Sequence, residues 1–213
     1  MNTIHFILGG ARSGKSRFAE NAAKQAELQG LTITYLATAQ AHDKEMSERI
    51  SQHQADRPAH WQLLESPLYL AKALEHALQS SDCILVDCLT LWLSNCLCQQ
   101  DSEFYVQQKK ALLIFLNKFI SDEQAKLVKQ GSQAKQIIFV SNEVGHGIVP
   151  MGVLSRQFVD QAGWLHQALG ELANRVDFVM AGLPLALKNE TLNSDLSQKN
   201  ESLKNSPQEK PSL

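Results

Sequence analysis

Five short apolar segments recur along the chain and are separated by longer stretches that mix apolar and polar residues. The segments are β-branched and apolar at consecutive positions, which is typical of strands in a parallel sheet covered on both faces. They are Ile4–Leu8, Ile33–Thr38, Cys83–Asp87, Ile137–Ser141 and Phe178–Ala181. Because helix-like stretches alternate with them, the pattern predicts an α/β fold with a doubly wound, mostly parallel sheet and helices on both faces.

The stretches between these segments carry helix signals. The first helical stretch is Arg17–Gln29, and Gly30 follows it where a helix is expected to stop. Ser66-Pro67 reads as an N-cap with proline at the first helical position, ahead of leucines spaced four apart. Two longer stretches are also predicted to be helical, the first as one helix or two: Ser102–Lys129 and Leu154–Arg175.

A glycine-rich segment stands between the first predicted strand and the first predicted helix. It has the pattern G-x-x-x-x-G-K-[ST], in which glycines let backbone N–H groups turn toward phosphate oxygens at a helix N-terminus. Lys15 is expected to reach the β- and γ-phosphates, and Ser16 to bind Mg²⁺. The sequence therefore predicts a P-loop NTPase (RecA-like) domain that binds a nucleoside triphosphate. The loop residues are Gly9, Gly10, Ala11, Arg12, Ser13, Gly14, Lys15 and Ser16.

The ends of two other predicted strands carry candidate ligand-binding residues. Asp87 ends the apolar segment Ile84-Leu85-Val86, which is typical of an acidic residue on a neighbouring strand that helps to hold Mg²⁺. A helix N-cap is the alternative interpretation of Asp87. The segment Ala37–Gln40 ends the second strand, at the sheet edge where open α/β sheets bind ligands.

A predicted helix that runs from Asp43 to about Arg57 contains a histidine between two arginines. Arg49, His53 and Arg57 are each four residues apart and so share one helix face. The like charges favour the neutral, nucleophilic imidazole, and guanidiniums can bind phosphate oxygens. On this evidence alone, a surface histidine on an amphipathic helix is the default interpretation, and Glu65 is a surface carboxylate.

Composition limits the classes of protein that remain. The 213 residues are 44% hydrophobic, enough for one compact domain, which we expect to span residues 1–188. The net charge of −2 without a basic run gives no support to nucleic-acid or membrane binding. No segment approaches the roughly 18 apolar residues of a membrane span, so we expect a cytoplasmic protein. Residues 189–213 are polar and predicted to be a disordered tail.

The four cysteines lack the spacing of a zinc site, so we interpret them as structural residues. They are Cys83, Cys88, Cys96 and Cys98.

Several longer motifs occur in order along the chain. They are Gly9–Arg17; Tyr35–Gln40; Glu45-Met46 with Arg49-Ile50, His53 and Arg57-Pro58; Trp61 with Glu65; Asp87–Thr90 with Asn95; Ser141–Pro150; and Arg156, Phe158, Asp160 and Ala162-Gly163. Over about residues 3–188 the chain resembles the bifunctional adenosylcobinamide kinase / adenosylcobinamide-phosphate guanylyltransferase family of cobalamin biosynthesis. The most specific parts are Asn142–Gly145 and Ile148–Pro150 combined with the His53 helix.

The resemblance implies two reactions at one site. The family phosphorylates the aminopropanol hydroxyl of adenosylcobinamide with ATP or GTP, then transfers GMP from GTP onto that phosphate and releases pyrophosphate. The transfer passes through a guanylylated histidine, which His53 matches. The resemblance also implies a homotrimer with nucleotide and corrinoid substrates and Mg²⁺. The nucleotide contacts that it implies outside the phosphate loop are Ala37, Thr38, Ala39, Gln54, Ala55, Asp56, Arg57, Glu65 and Asp87.

Some interpretations stay open. Glu143 could accept the hydroxyl proton, orient a Mg²⁺-bound water, or only pair with a neighbouring arginine. His146 reads as part of a substrate-side loop, His5 as a core residue, and His42 and His60 as surface residues. For the whole protein, the alternatives are a P-loop small-molecule kinase without a covalent step, and a P-loop regulatory or motor ATPase.

Overall fold

Seven strands and five helices make up the part of the chain that the computed structural model describes, which is residues 1–40, 58–126 and 134–190. In chain order they are β1 (Thr3–Gly9), α1 (Lys15–Leu28), β2 (Ile33–Ala37), β3 (Gln62–Glu65), α2 (Leu70–Ala77), β4 (Cys83–Asp87), α3 (Leu89–Leu97), α4 (Phe104–Lys126), β5 (Gln136–Asn142), α5 (Val153–Leu172), β6 (Arg175–Met180) and β7 (Leu183–Asn189). The five predicted strands correspond to β1, β2, β4, β5 and β6, which confirms the α/β prediction.

One sheet contains all seven strands, in the order β3-β2-β4-β5-β1-β6-β7. Every pairing is parallel except that of β7, which runs antiparallel to β6. Strand β5 lies between β1 and β4, so Asp87 ends a strand that is two positions away from the strand of the phosphate loop. The expectation that Asp87 ends a directly neighbouring strand is therefore wrong.

The two strands that the sequence pattern missed, β3 and β7, lie at the two edges of the sheet. Most of their side chains are exposed, so they lack the run of buried apolar residues that marks the inner strands. Pro184 in β7 fits an edge position, because proline cannot donate a hydrogen bond to a further strand.

Helices cover both faces of the sheet. Along β1, Ile4 and Phe6 pack in the cluster formed with α2, α3, α4 and α5, whereas Ile7 packs with the alanines of α1. This alternation follows from the two-residue repeat of a strand. Trp92 on α3 is completely buried in the larger cluster. Burial on both faces explains the consecutive apolar residues of the inner strands.

Two predicted helix boundaries are wrong. Helix α2 begins at Leu70 after Tyr69, without a side-chain cap, so Ser66-Pro67 does not start it. Helix α5 ends at Leu172, and Arg175 belongs to β6. The side-chain oxygen of Asn174 accepts a 2.9 Å hydrogen bond from the Ile4 N–H, and this contact fixes the chain next to β1 instead of in a further helical turn.

Three other expectations agree with the structure, namely the end of α1, the long helix after Ser102 and the burial of Cys83 and Cys88. Gly30 follows α1 with φ 89°, and the stretch from Ser102 contains one long helix, α4. The thiols of Cys83 and Cys88 are buried, and burial raises the pKa of Cys83 to about 12. No group of three or more metal-binding side chains occurs among the residues described. Within the same ranges, none of the helices is long and apolar enough to cross a membrane.

Candidate active site

The phosphate loop joins the end of β1 to the start of α1. Its backbone takes a positive φ at Arg12 (57°) and at Gly14 (91°), which lets the chain curl before the helix begins at Lys15. A Cβ at Gly9 would lie 2.5 Å from the Val179 carbonyl oxygen, so only glycine fits at the end of β1. Such a curled loop before a helix N-terminus is typical of sites that bind a phosphate through backbone N–H groups.

Two side chains of the loop are buried in ways that fit phosphate binding. Lys15 is only 8% exposed, and its ammonium group donates a 3.1 Å hydrogen bond to the Gly10 carbonyl. Burial lowers the pKa of Lys15, although Cys88 and Asp87 act in the opposite direction. Ser13 Oγ is the one buried side-chain polar atom among the described residues that has no hydrogen-bond partner. A phosphate oxygen would satisfy such a hydroxyl.

Glu65, Ala37 and Asp87 form a row across three adjacent strands. Ala37 is in register with Glu65 on β3 and with Asp87 on β4, so the sheet brings these predicted residues to one level. The Tyr35 hydroxyl donates a 3.0 Å hydrogen bond to one carboxylate oxygen of Asp87. The Asp87 carboxylate and the Ser16 hydroxyl offer the oxygen ligands that Mg²⁺ prefers. Two protein ligands are enough, because Mg²⁺ in such sites also binds phosphate oxygens and water.

Thr38 has a different environment from the one expected of a nucleotide contact. It is completely buried, and its hydroxyl donates a 2.7 Å hydrogen bond to the Cys88 carbonyl and accepts a 2.9 Å bond from the Cys88 N–H. The Asn95 amide donates a 2.8 Å hydrogen bond to the Thr38 carbonyl. The Thr38 hydroxyl therefore joins the ends of β2 and β4. Its role as a nucleotide contact stays a prediction.

Glu143 directly follows β5, the strand that pairs with β1 on the side of β4. Its N–H donates a 3.1 Å hydrogen bond to the Gly9 carbonyl, which fixes it beside the first loop residue. One carboxylate oxygen accepts a 2.6 Å bond from the Gly145 N–H, and the other lies 3.7 Å from His166 Nδ1. Among the described residues, the ionisable group that Glu143 contacts is this histidine, not an arginine.

His166 is a residue that the sequence analysis missed. It lies on α5 and is 9% exposed, and its Nε2 is 2.8 Å from Ser141 Oγ. A signal was present, because His166 falls on the buried stripe of α5 that contains Ala162, Leu165 and Leu169. A histidine on such a stripe needs a polar partner, since burying an unpaired polar group is costly.

A cavity of about 370 Å³ opens between the phosphate loop, Glu143 and the end of β6. His146 lines it with its ring centroid 6.0 Å from that of Phe178. The substrate-side interpretation of His146 thus agrees with its place beside the loop. Two further histidines lie where expected: His5 is buried against Asp177, and His60 is exposed and contacts Glu27.

The sequence also predicted site residues on the helix between Asp43 and Arg57. These residues lie outside the ranges that the structure describes, and so does His42. Their roles stay predictions. The residues concerned are His53, Gln54, Ala55, Asp56 and Arg57.

Comparison with known proteins identifies close relatives. The family model described as cobinamide kinase / cobinamide phosphate guanyltransferase matches residues 5–187. The bifunctional adenosylcobalamin biosynthesis protein CobP of Pseudomonas aeruginosa is 50% identical over 186 residues, which is 87% of this chain and 98% of that protein. The corresponding protein CobU of Salmonella typhimurium is 37% identical over 184 residues, 85% of this chain and 98% of that protein. Among solved structures, one ATPase domain matches with a TM-score of 0.50 at 13% identity, covering 89% of this chain and 78% of that one, a likeness of fold alone.

Proposed function

The chain belongs to the cobinamide kinase / cobinamide phosphate guanyltransferase family, and on this premise we propose how its residues divide the two reactions. It is a bifunctional enzyme of cobalamin biosynthesis. The observation that carries the division is that Glu143 lines a cavity together with residues of the phosphate loop, whereas Glu65 and Asp87 do not line it. Asp87 and Glu65 end strands on one side of β5, and Glu143 follows β5 itself beside Gly9.

In the kinase reaction, the loop backbone and Lys15 bind the β- and γ-phosphates of ATP or GTP. The aminopropanol hydroxyl of adenosylcobinamide attacks the γ-phosphorus, the bond to the bridging oxygen breaks, and the nucleoside diphosphate leaves. Glu143 accepts the hydroxyl proton. Mg²⁺, when bound by Ser16 and Asp87, neutralises charge on the phosphates.

The acceptor arm is proposed to enter the cavity beside Glu143. This cavity is lined by loop residues, by His146 and by the end of β6. An acceptor inside it would therefore lie next to the phosphates of a nucleotide bound in the loop. Its volume of about 370 Å³ suits the aminopropanol arm and leaves the corrin ring outside. The apolar wall at Phe178 and Val179 would exclude water from the reacting hydroxyl.

In the transferase reaction, an imidazole nitrogen of His53 attacks the α-phosphorus of GTP, and the bond to the bridging oxygen breaks. The loop that held the β- and γ-phosphates then stabilises the departing pyrophosphate. A phosphate oxygen of the acceptor attacks the same phosphorus, the P–N bond breaks, and neutral imidazole is restored. Support for His53 comes from its match to the H-x-x-x-R-P pattern of the family resemblance.

Labelling with radioactive GTP tests the covalent step. His53→Ala should abolish protein-bound label, whereas His60→Ala, which changes an exposed histidine bonded to Glu27, should label normally. The label should be released by acid and resist base, as a phosphoramidate does. Label of normal yield in His53→Ala would refute the assignment and favour a kinase without a covalent step.

We also propose that the enzyme is a homotrimer. The described residues expose many large apolar side chains, which is unusual for a surface that faces only water. They include Ile148, Met151, Trp164, Leu183, Leu185 and Leu187. Light scattering on the full chain should give about 71 kDa, three times its 23.7 kDa, and Leu185→Glu should lower that mass. A wild-type mass of 23.7 kDa would contradict the proposal.

A further inference from the structure

A buried imidazole connects the end of β5 with Glu143. His166 Nε2 lies 2.8 Å from Ser141 Oγ, and Nδ1 lies 3.7 Å from Oε2 of Glu143. Ser141 is completely buried, His166 is 9% exposed, and the Glu143 side chain is 19% exposed. The three side chains thus run from the core to the cavity beside the phosphate loop.

The chemistry of the partners fixes the tautomer. Burial lowers the pKa of His166, although the Glu143 carboxylate acts in the opposite direction, so the ring is neutral near pH 7 and has one N–H. A carboxylate only accepts hydrogen bonds, whereas a hydroxyl can also donate. The proton therefore belongs on Nδ1, which faces Glu143, and Nε2 accepts from the Ser141 hydroxyl.

The three residues are connected as in a serine hydrolase triad, but Ser141 cannot serve as the nucleophile. In a hydrolase the serine oxygen is exposed to the substrate carbonyl. Here Ser141 lies inside the sheet with no exposed surface, and the only member that lines the cavity is Glu143. The arrangement can therefore act on a ligand only through the carboxylate.

We propose that His166 is a positioning residue that keeps the Glu143 carboxylate directed at the acceptor hydroxyl during the kinase reaction. The inference rests on the proposed function, since it assumes that Glu143 takes the hydroxyl proton. The 3.7 Å contact shortens to a hydrogen bond when the acceptor fills the cavity, as catalytic contacts commonly do. The other charged or titratable groups that line the cavity are Arg12 and His146, and from β1 His166 meets the uncharged ring of Phe6.

Two substitutions of His166 distinguish the roles of its two ring nitrogens. His166→Asn keeps an N–H donor near the position of Nδ1, and His166→Gln keeps a polar group near Nε2 and loses the donor that faces Glu143. We expect His166→Gln to lower kcat of the kinase reaction at least about tenfold. We also expect it to move the acidic limb of the pH–rate profile up by about one pH unit, because the carboxylate loses a donor that favours its charged form. His166→Asn should retain most of the wild-type rate and profile.

The control is His5→Gln, which also changes a buried, hydrogen-bonded histidine of the core, one bonded to Asp177. It should lower stability and leave the kinase pH profile unchanged. Formation of the guanylyl adduct from labelled GTP reports in every variant whether the site is intact, because that step does not use Glu143. If His166→Gln does not fold, Ser141→Ala removes the hydroxyl that fixes the tautomer and should give a shift of the same sign.

The outcomes separate this inference from the function on which it rests. Glu143→Gln should slow the kinase reaction by about a hundredfold and leave guanylylation intact. A normal kinase rate in Glu143→Gln would overturn the role of Glu143 itself. A slow Glu143→Gln combined with an unshifted profile in His166→Gln, or with equal losses in the Asn and Gln variants, would overturn only the positioning role of His166.

Discussion

The substitution Thr38→Val tests whether this threonine binds nucleotide or joins two strands. Valine has nearly the same shape but lacks the hydroxyl, which bonds both the N–H and the carbonyl of Cys88 at 2.9 and 2.7 Å. The site is completely buried, so no water can replace the hydroxyl. Leaving two buried backbone groups without this partner should cost about 1–3 kcal/mol each, and we expect the free energy of unfolding to fall by about 3 kcal/mol.

Urea unfolding at one fixed protein concentration measures this loss. With a slope of about 2–3 kcal/mol per molar, the midpoint should fall by about 1 M. The dissociation constant for GTP should rise less than about tenfold, a ratio worth 1.4 kcal/mol, when it is measured at a temperature at which the variant is folded.

Thr34→Val is the matched control, on the strand β2 that Thr38 directly follows. Thr34 is buried too, and its hydroxyl is 2.6 Å from Ser81 Oγ, a side-chain partner that can rotate toward another group. This variant should lose about 1 kcal/mol of stability and no nucleotide affinity. If Thr38→Val kept wild-type stability and lost GTP binding more than tenfold, the hydroxyl would be a ligand contact and the argument from burial would be wrong.

Three further predictions follow from the same geometry. Lys15→Ala should abolish both reactions with an unchanged circular dichroism spectrum, because one ammonium serves the transferred and the departing phosphates; retention of either reaction would contradict the shared loop. Gly9→Ala should destabilise the protein by about 1–3 kcal/mol in urea unfolding, because its Cβ would meet a backbone carbonyl at 2.5 Å. Burial alone would raise the pKa of Asp177, but hydrogen bonds from His5 and Arg175 lower it. The ionised Asp177 carboxylate therefore stabilises the folded protein above a pH of about 4, and this stabilisation is lost as the pH falls further. The free energy of unfolding should fall between about pH 4 and 2 in the wild type, and less steeply in Asp177→Asn.

The phosphate loop and the inner strands could be predicted from sequence because local chemistry determines them. The spacing of the glycines and the lysine in residues 9–16 is typical of a phosphate-binding loop and of few other structures. The inner strands are buried on both faces and are therefore apolar at consecutive positions. The edge strands β3 and β7 lack that signal, since solvent and not the core meets most of their side chains. Their pairing depends on distant partners, which the local sequence does not encode.

The wrong helix end at Arg175 and the unexpected environment of Thr38 have the same origin. In the sequence alone, Arg175 fits the end of the preceding helix. Its contact with Asp177, and that of Asn174 with β1, show that the helix has already ended. Thr38 ends a strand at the ligand-binding edge, and only the position of Cys88 shows that its hydroxyl is already engaged. His166 was hidden for the opposite reason, because a histidine on an apolar stripe reveals its partners only when β5 and α5 are packed together.

The place of β1 in the sheet has a consequence for how the site moves. β1 pairs with β5 and β6 along both sides, whereas β3 is an edge strand paired with β2. Strands held on both sides open only in near-global unfolding, and edge strands open at lower free energy. Amide hydrogen exchange should therefore be slowest in β1 and fast around Glu65. The phosphates would rest on the least mobile part of the molecule, while the end of the site near Glu65 could adapt to successive ligands without disturbing that anchor.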